Sequence, residues 1–388
     1  MKKKVLSVLL SVTMVAAMVI GCGNTATETK TDDAATTEEK TEAPAEEKTE
    51  DTEKTDAAAT GDMSFEIVSK GFQHQYWQAV LKGAENKAKE LGVKINFVGP
   101  NTESDIADQV QMLNSAINNS PAGIGLAALD TEACMDGITA AQSAGIPIVG
   151  FDSGVPGAPD GAIVATVATD NYAAGELAAE NLYPAIKDII ASATAPVRVG
   201  VLSQDATSES VGNRGLGFID KLASLVVADG KTATVEGNDK FVTDSKCEKT
   251  DGANVVIEVA VPAQVDASLS KTDCETLLNK ADTIAIYGSN QHSGEAMVSA
   301  NETLQKFGSG EGKVIGVAFD SGEVIKSAVA NGTFLGAITQ APVAMGEALI
   351  QTLADAAAGK TVSDQDTGCQ WYTAENMESE EIAQNLYD

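Results

Sequence analysis

The chain has 388 residues and a formal net charge of −30, from 56 acidic and 26 basic side chains. That balance excludes a surface built to track phosphates, which needs clustered Lys and Arg, so no nucleic-acid partner is expected. The length exceeds one ordinary core and points to two domains.

The leader comes first. Lys2, Lys3 and Lys4 precede an apolar run over 5–20, which closes on Gly21 and Cys22. Charge, then an apolar run, then small residues is the pattern of a secretory signal. At about 16 residues the run is short for a bilayer core, which needs ~20. A Cys directly after the small residues resembles the bacterial lipobox. That likeness implies a signal peptide over 1–21, a lipidated Cys22 and an anchor in the membrane. Residues 22–62 continue with Thr, Glu, Ala, Lys and Asp, too few apolar groups to offset the entropy of ordering, and read as a disordered acidic tether. Beyond the leader nothing is apolar for long enough to span a membrane.

From residue 64 onward, short apolar runs alternate with helical patterns. Strands are expected at 65–68, 93–98, 124–129, 146–151 and 163–169, with helices at 76–91 and 105–118. In the second of these helices Ile106, Val110, Leu113 and Ile117 share one face. The pattern then restarts. A helix over 171–187 is followed by strands at 197–202, 255–261, 283–287, 314–319 and 334–339. Helices are expected at 211–225, 269–280, 294–307, 323–330 and 341–358. Residues 231–251 are irregular. Continuous apolar strands separated by helices imply an α/β protein with parallel sheets covered on both faces. Two successive runs of similar size imply two similar domains.

In open parallel sheets, ligands bind beyond the carboxyl ends of the strands. The scarce residue types fall in those loops. The only histidines are His74, after the first strand, and His292, after the strand at 283–287. Tyr76 and Trp77 follow His74, and Arg214, one of two arginines, sits near the start of a helix. Asp152, Asp320 and Gln340 each end a strand. Asp, Asn, Gln and Arg can each engage two adjacent hydroxyls with rigid planar geometry, and an aromatic face covers the C–H face of a sugar ring. Each also has a plain structural role, as a helix cap or a core aromatic. Placement on one rim favours binding. No GxSxG, HExxH or P-loop occurs, so neither an enzyme nor a cofactor is expected. Cys134, Cys247, Cys274 and Cys369 match no zinc spacing and are compatible with free thiols or with any of three pairings.

These residues carry a family likeness across about 64–372. Its strongest parts are the loop Gly71-Phe72-Gln73-His74-Gln75-Tyr76-Trp77, the run from Ala144 through Phe151 to Asp152, and Ala168-Thr169-Asp170-Asn171. With them go Arg214-Gly215-Leu216-Gly217-Phe218, Gly288-Ser289-Asn290, Val317-Ala318-Phe319-Asp320 and Ile338-Thr339-Gln340-Ala341-Pro342. Together they resemble the type I periplasmic binding proteins, specifically the ribose- and galactose-type sugar-binding proteins of ABC transporters.

The resemblance implies two Rossmann-like lobes joined by a three-strand hinge. The N-terminal lobe would comprise 63–168 and 341–366, the C-terminal lobe 169–340 and 367–388, with crossings near 167–170, 340–341 and 366–368. It further implies that His74, Tyr76, Trp77, Asp152, Arg214, Asp266, Asn290, Asp320 and Gln340 hold the ligand. Ser153 stands where the ribose-type pattern has Arg, and His74 replaces the usual Asn, which argues against ribose itself. The calcium loop of the galactose type is not evident, so no metal is expected. The implied function is that of a monomeric extracytoplasmic lipoprotein handing a monosaccharide or related polyol to an ABC permease complex. The alternative is the same capture module serving a chemoreceptor or sensor kinase. A LacI-like repressor is disfavoured, since a basic helix-turn-helix would have to stand where the leader and acidic tether are.

Overall fold

The computed structural model describes residues 63–387, so the expected signal segment, Cys22 and the tether up to 62 lie outside the described residues. The apolar runs form strands β1 (Ser64–Val68), β2 (Lys94–Val98), β3 (Gly123–Leu126), β4 (Ile148–Phe151), β5 (Ile163–Ala168) and β6 (Val197–Leu202). They continue as β7 (Ala233–Gly237), β8 (Val255–Ala260), β9 (Thr283–Gly288), β10 (Ile315–Phe319), β11 (Phe334–Gln340), β12 (Gln365–Asp366) and β13 (Cys369–Tyr372).

Between the strands run α1 (Gln75–Leu91), α2 (Ile106–Asn118), α3 (Met135–Ser143), α4 (Asn171–Ser192), α5 (Glu209–Ala228) and α6 (Asp239–Asp244). Then follow α7 (Ala267–Asn279), α8 (Gln291–Leu304), α9 (Glu323–Ala330), α10 (Pro342–Ala357) and α11 (Glu380–Ala383). Among the described residues no helix is long and apolar enough to cross a membrane.

The strands form two sheets, ordered β12-β5-β4-β3-β1-β2 and β13-β11-β10-β9-β6-β8-β7. All neighbours are parallel except β11 and β13. The order β8-β6-β9-β10-β11 repeats β2-β1-β3-β4-β5, with β7 added at the edge. In each sheet the chain moves first to one side of its opening strand and then to the other, leaving a crevice beside β1 and beside β6.

Each sheet is covered on both faces, as parallel pairing requires. Phe65, Ile67 and Val149 pack with Val80 of α1 and Leu349 and Leu353 of α10, while Ile124, Leu126 and Ile148 pack with Leu113 of α2 and Ile138 of α3. In the second lobe Val199, Val201 and Ile257 meet α4 and α5, and Ile286 and Ala318 meet α7, α8 and α9.

The connection from β5 to α4 carries the chain to the second sheet, α10 brings it back, and β12 to β13 carries it over again. These three connections are bonded side by side. The Thr169 hydroxyl donates to Gln340 Oε1 at 3.0 Å, Thr367 N–H to Ala168 O at 3.0 Å and Asp170 N–H to Asp366 Oδ1 at 3.0 Å.

Several element ends differ from the sequence reading. Helix α8 begins three residues earlier than expected, because the Asn290 side chain caps it by accepting from Ser293 N–H. Strand β4 starts late because Gly145, at φ 72°, and Pro147 hold the turn before it. The irregular stretch 231–251 holds β7 and α6, too short and too polar to show a period. The four cysteines from Cys134 to Cys369 are all free.

Candidate functional site

The carboxyl ends of the strands face one another across the two lobes, and the loops there line a shared cleft. From the first lobe come Lys70, His74, Tyr76, Trp77, Glu103 and Asp152; from the second come Gln204, Ser210, Val211, Arg214, Asn290, Gln291, His292, Asp320 and Gln340. The cavity between them measures ≈ 30 Å³.

The two strand-end acids are built alike. The sequence Phe-Asp-Ser-Gly occurs at 151–154 and again at 319–322. Both aspartates take a left-handed backbone, φ 60° at Asp152 and φ 72° at Asp320. Asp and Asn tolerate that region better than most residues. Each N–H reaches across to the next strand, Asp152 to Val167 O at 3.0 Å and Asp320 to Ile338 O at 2.6 Å. The kink turns each carboxylate off its strand and into the cleft.

Asp152 accepts from the Tyr76 hydroxyl at 2.8 Å and pairs with Lys70 Nζ at 2.8 Å. Burial alone would push its carboxyl up. The Lys70 ammonium and the Arg214 guanidinium outweigh burial and hold it below its ordinary range. Asp320 accepts from Gln340 Nε2 at 2.6 Å and from Gln291 N–H at 3.1 Å, with Arg214 Nη1 at 3.7 Å. For Asp320 burial wins, and its carboxyl is raised despite Arg214. Arg214 lies over the Phe319 ring at 4.0 Å and donates through Nε to Asn171 Oδ1 at 2.8 Å. The guanidinium is thereby fixed in plane.

Tyr76 and Trp77 open α1 and meet edge to face, with centroids 5.0 Å apart. Burial, then Asp152 and Asp320, push the Tyr76 hydroxyl well above its ordinary value, so it stays protonated and donates. His74 is the N-cap residue of α1. His292 bonds Ser270 Oγ through Nε2 at 2.9 Å; burial, then His74, lowers its pKa.

Lys70 is only 3% exposed, and its ammonium also donates to Ser208 Oγ and Ser210 Oγ of the other lobe, each at 2.8 Å. Gln204 holds, two residues past β6, the place Lys70 holds two residues past β1. The sequence reading missed Lys70, Glu103, Gln204, Ser210 and Gln291, and gave His292 no role. The repeat of β1 in β6 would have pointed to Lys70 and Gln204 together. Glu103 lies in a loop with no strand-end signal.

Of the expected residues, the cleft brings together His74, Tyr76, Trp77, Asp152, Arg214, Asn290, Asp320 and Gln340. Asp266 stands apart from this lining. Its exposed carboxylate accepts from Ser268 and Leu269 N–H at 2.9 and 3.0 Å, capping α7. An N-cap Asp satisfies helix donors that otherwise lack a partner, which accounts for the residue without a ligand. Among the described residues no three His, Cys, Asp or Glu side chains converge to hold a metal ion.

The model of the periplasmic binding protein domain family matches residues 65–361. The D-allose-binding periplasmic protein of Escherichia coli is 29% identical over 115 residues, a stretch that is 29% of this chain and 37% of that relative's length. A solved structure described as an ABC transporter, LacI family transcriptional regulator from Brachyspira murdochii is 32% identical, with a TM-score of 0.69 over 84% of this chain and 99% of that one. A solute-binding protein of an ABC transporter from Agrobacterium vitis, solved with D-fucose, is 26% identical, with a TM-score of 0.68 over 84% of this chain and all of that one.

Proposed function

This chain belongs to the periplasmic binding protein family, and from that premise we propose that it captures a monosaccharide between its lobes and presents it to an ABC importer. It binds its solute and does not transform it. The observation that carries the reading is the convergence of Asp152, Tyr76 and Lys70 from one lobe on Arg214, Asp320 and Gln340 from the other. These are planar or paired polar groups, able to grip neighbouring hydroxyls, with Tyr76 and Trp77 beside them as an apolar wall. The ligands of the similar solved proteins support a neutral sugar. So does the balance of the fully buried charges in the cleft, Lys70 and Arg214 against Asp152 and Asp320.

The mechanism is closure about the crossings at 167–170, 340–341 and 366–368. The lobes are 63–168 with 341–366, and 169–340 with 367–388. A cavity of ≈ 30 Å³ holds about two waters, so a sugar enters only when the lobes part. A solute touching both lobes binds the closed state better and shifts the population towards it. His74, Tyr76, Trp77, Asp152, Arg214, Asn290, Asp320 and Gln340 are the proposed ligand residues, with Lys70 added. Lipidation at Cys22 would anchor the molecule outside the cell membrane, within reach of the permease.

The test is a thermal-shift panel of pentoses, hexoses, 6-deoxyhexoses and polyols, including D-allose, D-fucose and D-arabinose. Ligand at 100-fold over its Kd should add ~2.7 kcal/mol to stability. A hit among the sugars supports the reading. A silent panel on folded protein freed of carried-over ligand overturns it.

A further inference from the structure

We propose that Glu103 is a positioning residue, a carboxylate strut that ties the two lobes together at the cleft and holds Trp77 in place. The proposal rests on the reading of this cleft as one that opens and closes. Glu103 belongs to the first lobe, in the loop between β2 and α2. Its two carboxylate oxygens are divided between the lobes. Oε1 accepts from Trp77 Nε1 at 2.7 Å, within its own lobe, and Oε2 accepts from Gln204 Nε2 at 2.8 Å, in the other.

The bonding continues beyond Gln204. Gln204 Oε1 accepts from Asn290 Nδ2 at 2.7 Å, and Asn290 Oδ1 accepts from Ser293 N–H at 3.0 Å and from its hydroxyl at 2.7 Å. One chain of hydrogen bonds therefore runs from α1 of the first lobe to the N-terminus of α8 in the second. In that chain Glu103 makes the crossing. Both its bonds are charge-assisted, stronger and shorter than neutral ones.

Two further observations show that the carboxylate is held in place. The loop carrying it is a tight turn, in which Thr102 N–H donates to Asp105 Oδ2 at 3.0 Å and Asp105 N–H to Thr102 O at 3.1 Å. Room for the bond to Trp77 depends on Gly71. A Cβ there would stand 3.1 Å from Glu103 Cγ and 3.5 Å from both Glu103 Oε1 and Trp77 Nε1.

An amide cannot replace this carboxylate fully. Gln at 103 has one oxygen, so it accepts from Trp77 or from Gln204 and turns an N–H donor towards the other. If Gln204 flipped its amide to compensate, it would lose the bond from Asn290. Glu103→Gln thus removes one arm of the strut, and Glu103→Ala removes both.

The experiment uses the full chain carrying Trp371→Phe, which leaves Trp77 as its one tryptophan. Acrylamide quenching of Trp77 and the radius of gyration from small-angle scattering are measured without sugar and with D-allose and D-fucose as probes. Without sugar, Glu103→Ala should raise the quenching constant several-fold and enlarge the radius. Glu103→Gln should fall between it and the parent, with the far-UV spectrum of all three unchanged. Unaltered quenching and radius in both variants would overturn the strut, even if the parent binds a probe sugar. Opening of the variants in a chain that binds no sugar would leave the strut standing and remove only the sugar reading.

Discussion

Asp152 sits where a carboxylate has three uses at once: it accepts from Tyr76, neutralises Lys70 and faces Arg214. Replacing it by Ala would leave the Lys70 ammonium buried with only two serine hydroxyls, a change expected to cost stability as well as affinity. Asp152→Asn is the cleaner variant, because Asn also tolerates the left-handed backbone while the charge is lost. Hydrogen bonds to charged groups contribute about 1.5–3 kcal/mol each. Isothermal titration with the best sugar of the panel should therefore show affinity lowered by about 10- to 100-fold. Arg214→Lys should lose affinity on a similar scale, since an ammonium cannot keep both the Asn171 bond and a planar face towards the ligand. Unchanged affinity in both variants would sink the site assignment. The opening aromatics stood out in the sequence because their type is scarce, and Asp152 and Asp320 because they end strands. Asp266, expected from the family resemblance alone, caps α7 and stands outside the cleft lining, because capping and binding call for the same residue type after a strand. Glu103 stood out in no such way, and Lys70 only through its place in the repeat of β1 by β6. In an acidic chain a lysine or glutamate reads as solvated surface until the fold buries it against a partner.

At the scale of elements, each lobe is held by one helix pair crossing at backbone distance. A Cβ on Gly83 of α1 would come within 1.9 Å of Val343 O, and one on Gly346 of α10 within 2.1 Å of Val80 O. The second lobe repeats the device. A Cβ on Gly175 of α4 would meet Arg214 O at 2.1 Å, and one on Gly217 of α5 would meet Tyr172 O at 2.0 Å. No L side chain fits such an approach without parting the helices, and overpacking of this kind costs about 1–3 kcal/mol. Gly83→Ala should lower the unfolding free energy from urea titration by that amount and leave sugar affinity close to the parent's. Gly175→Ala pushes on the carbonyl of Arg214 itself, so it should lower both. Equal affinity in the two variants would show that the α4–α5 crossing does not aim the guanidinium. The strand and helix alternation could be read from apolar periodicity, and so could the restart after β5. Neither glycine pair could be, since a glycine inside a helical pattern looks the same whether it meets solvent or another backbone.

At the scale of the molecule, the two imidazoles come from opposite lobes and line one cleft. Burial, then His74, holds His292 below its ordinary 6.5, while Glu103, Glu295 and Asp266 act the other way. An unfolded chain then binds more protons than the folded one as pH falls through about 6.5, so stability is full above that value and declines below it. The urea midpoint should fall between pH 7.5 and pH 5.5, and His292→Gln should shrink the difference. An undiminished difference in the variant would assign the acid sensitivity to other groups. The amino-acid sequence by itself determined that this is a parallel α/β protein of two similar halves, because strand and helix periods are local and repeat. It also determined that the rare polar residues lie at strand ends, where such sheets bind ligands. Tertiary structure alone decided which of them meet. Burial turned Lys70 from a surface charge into the partner of Asp152, and the facing of the lobes joined Trp77 to Asn290 through Glu103. Those pairings span 26 to 101 residues of chain, and no local pattern encodes a contact at that range.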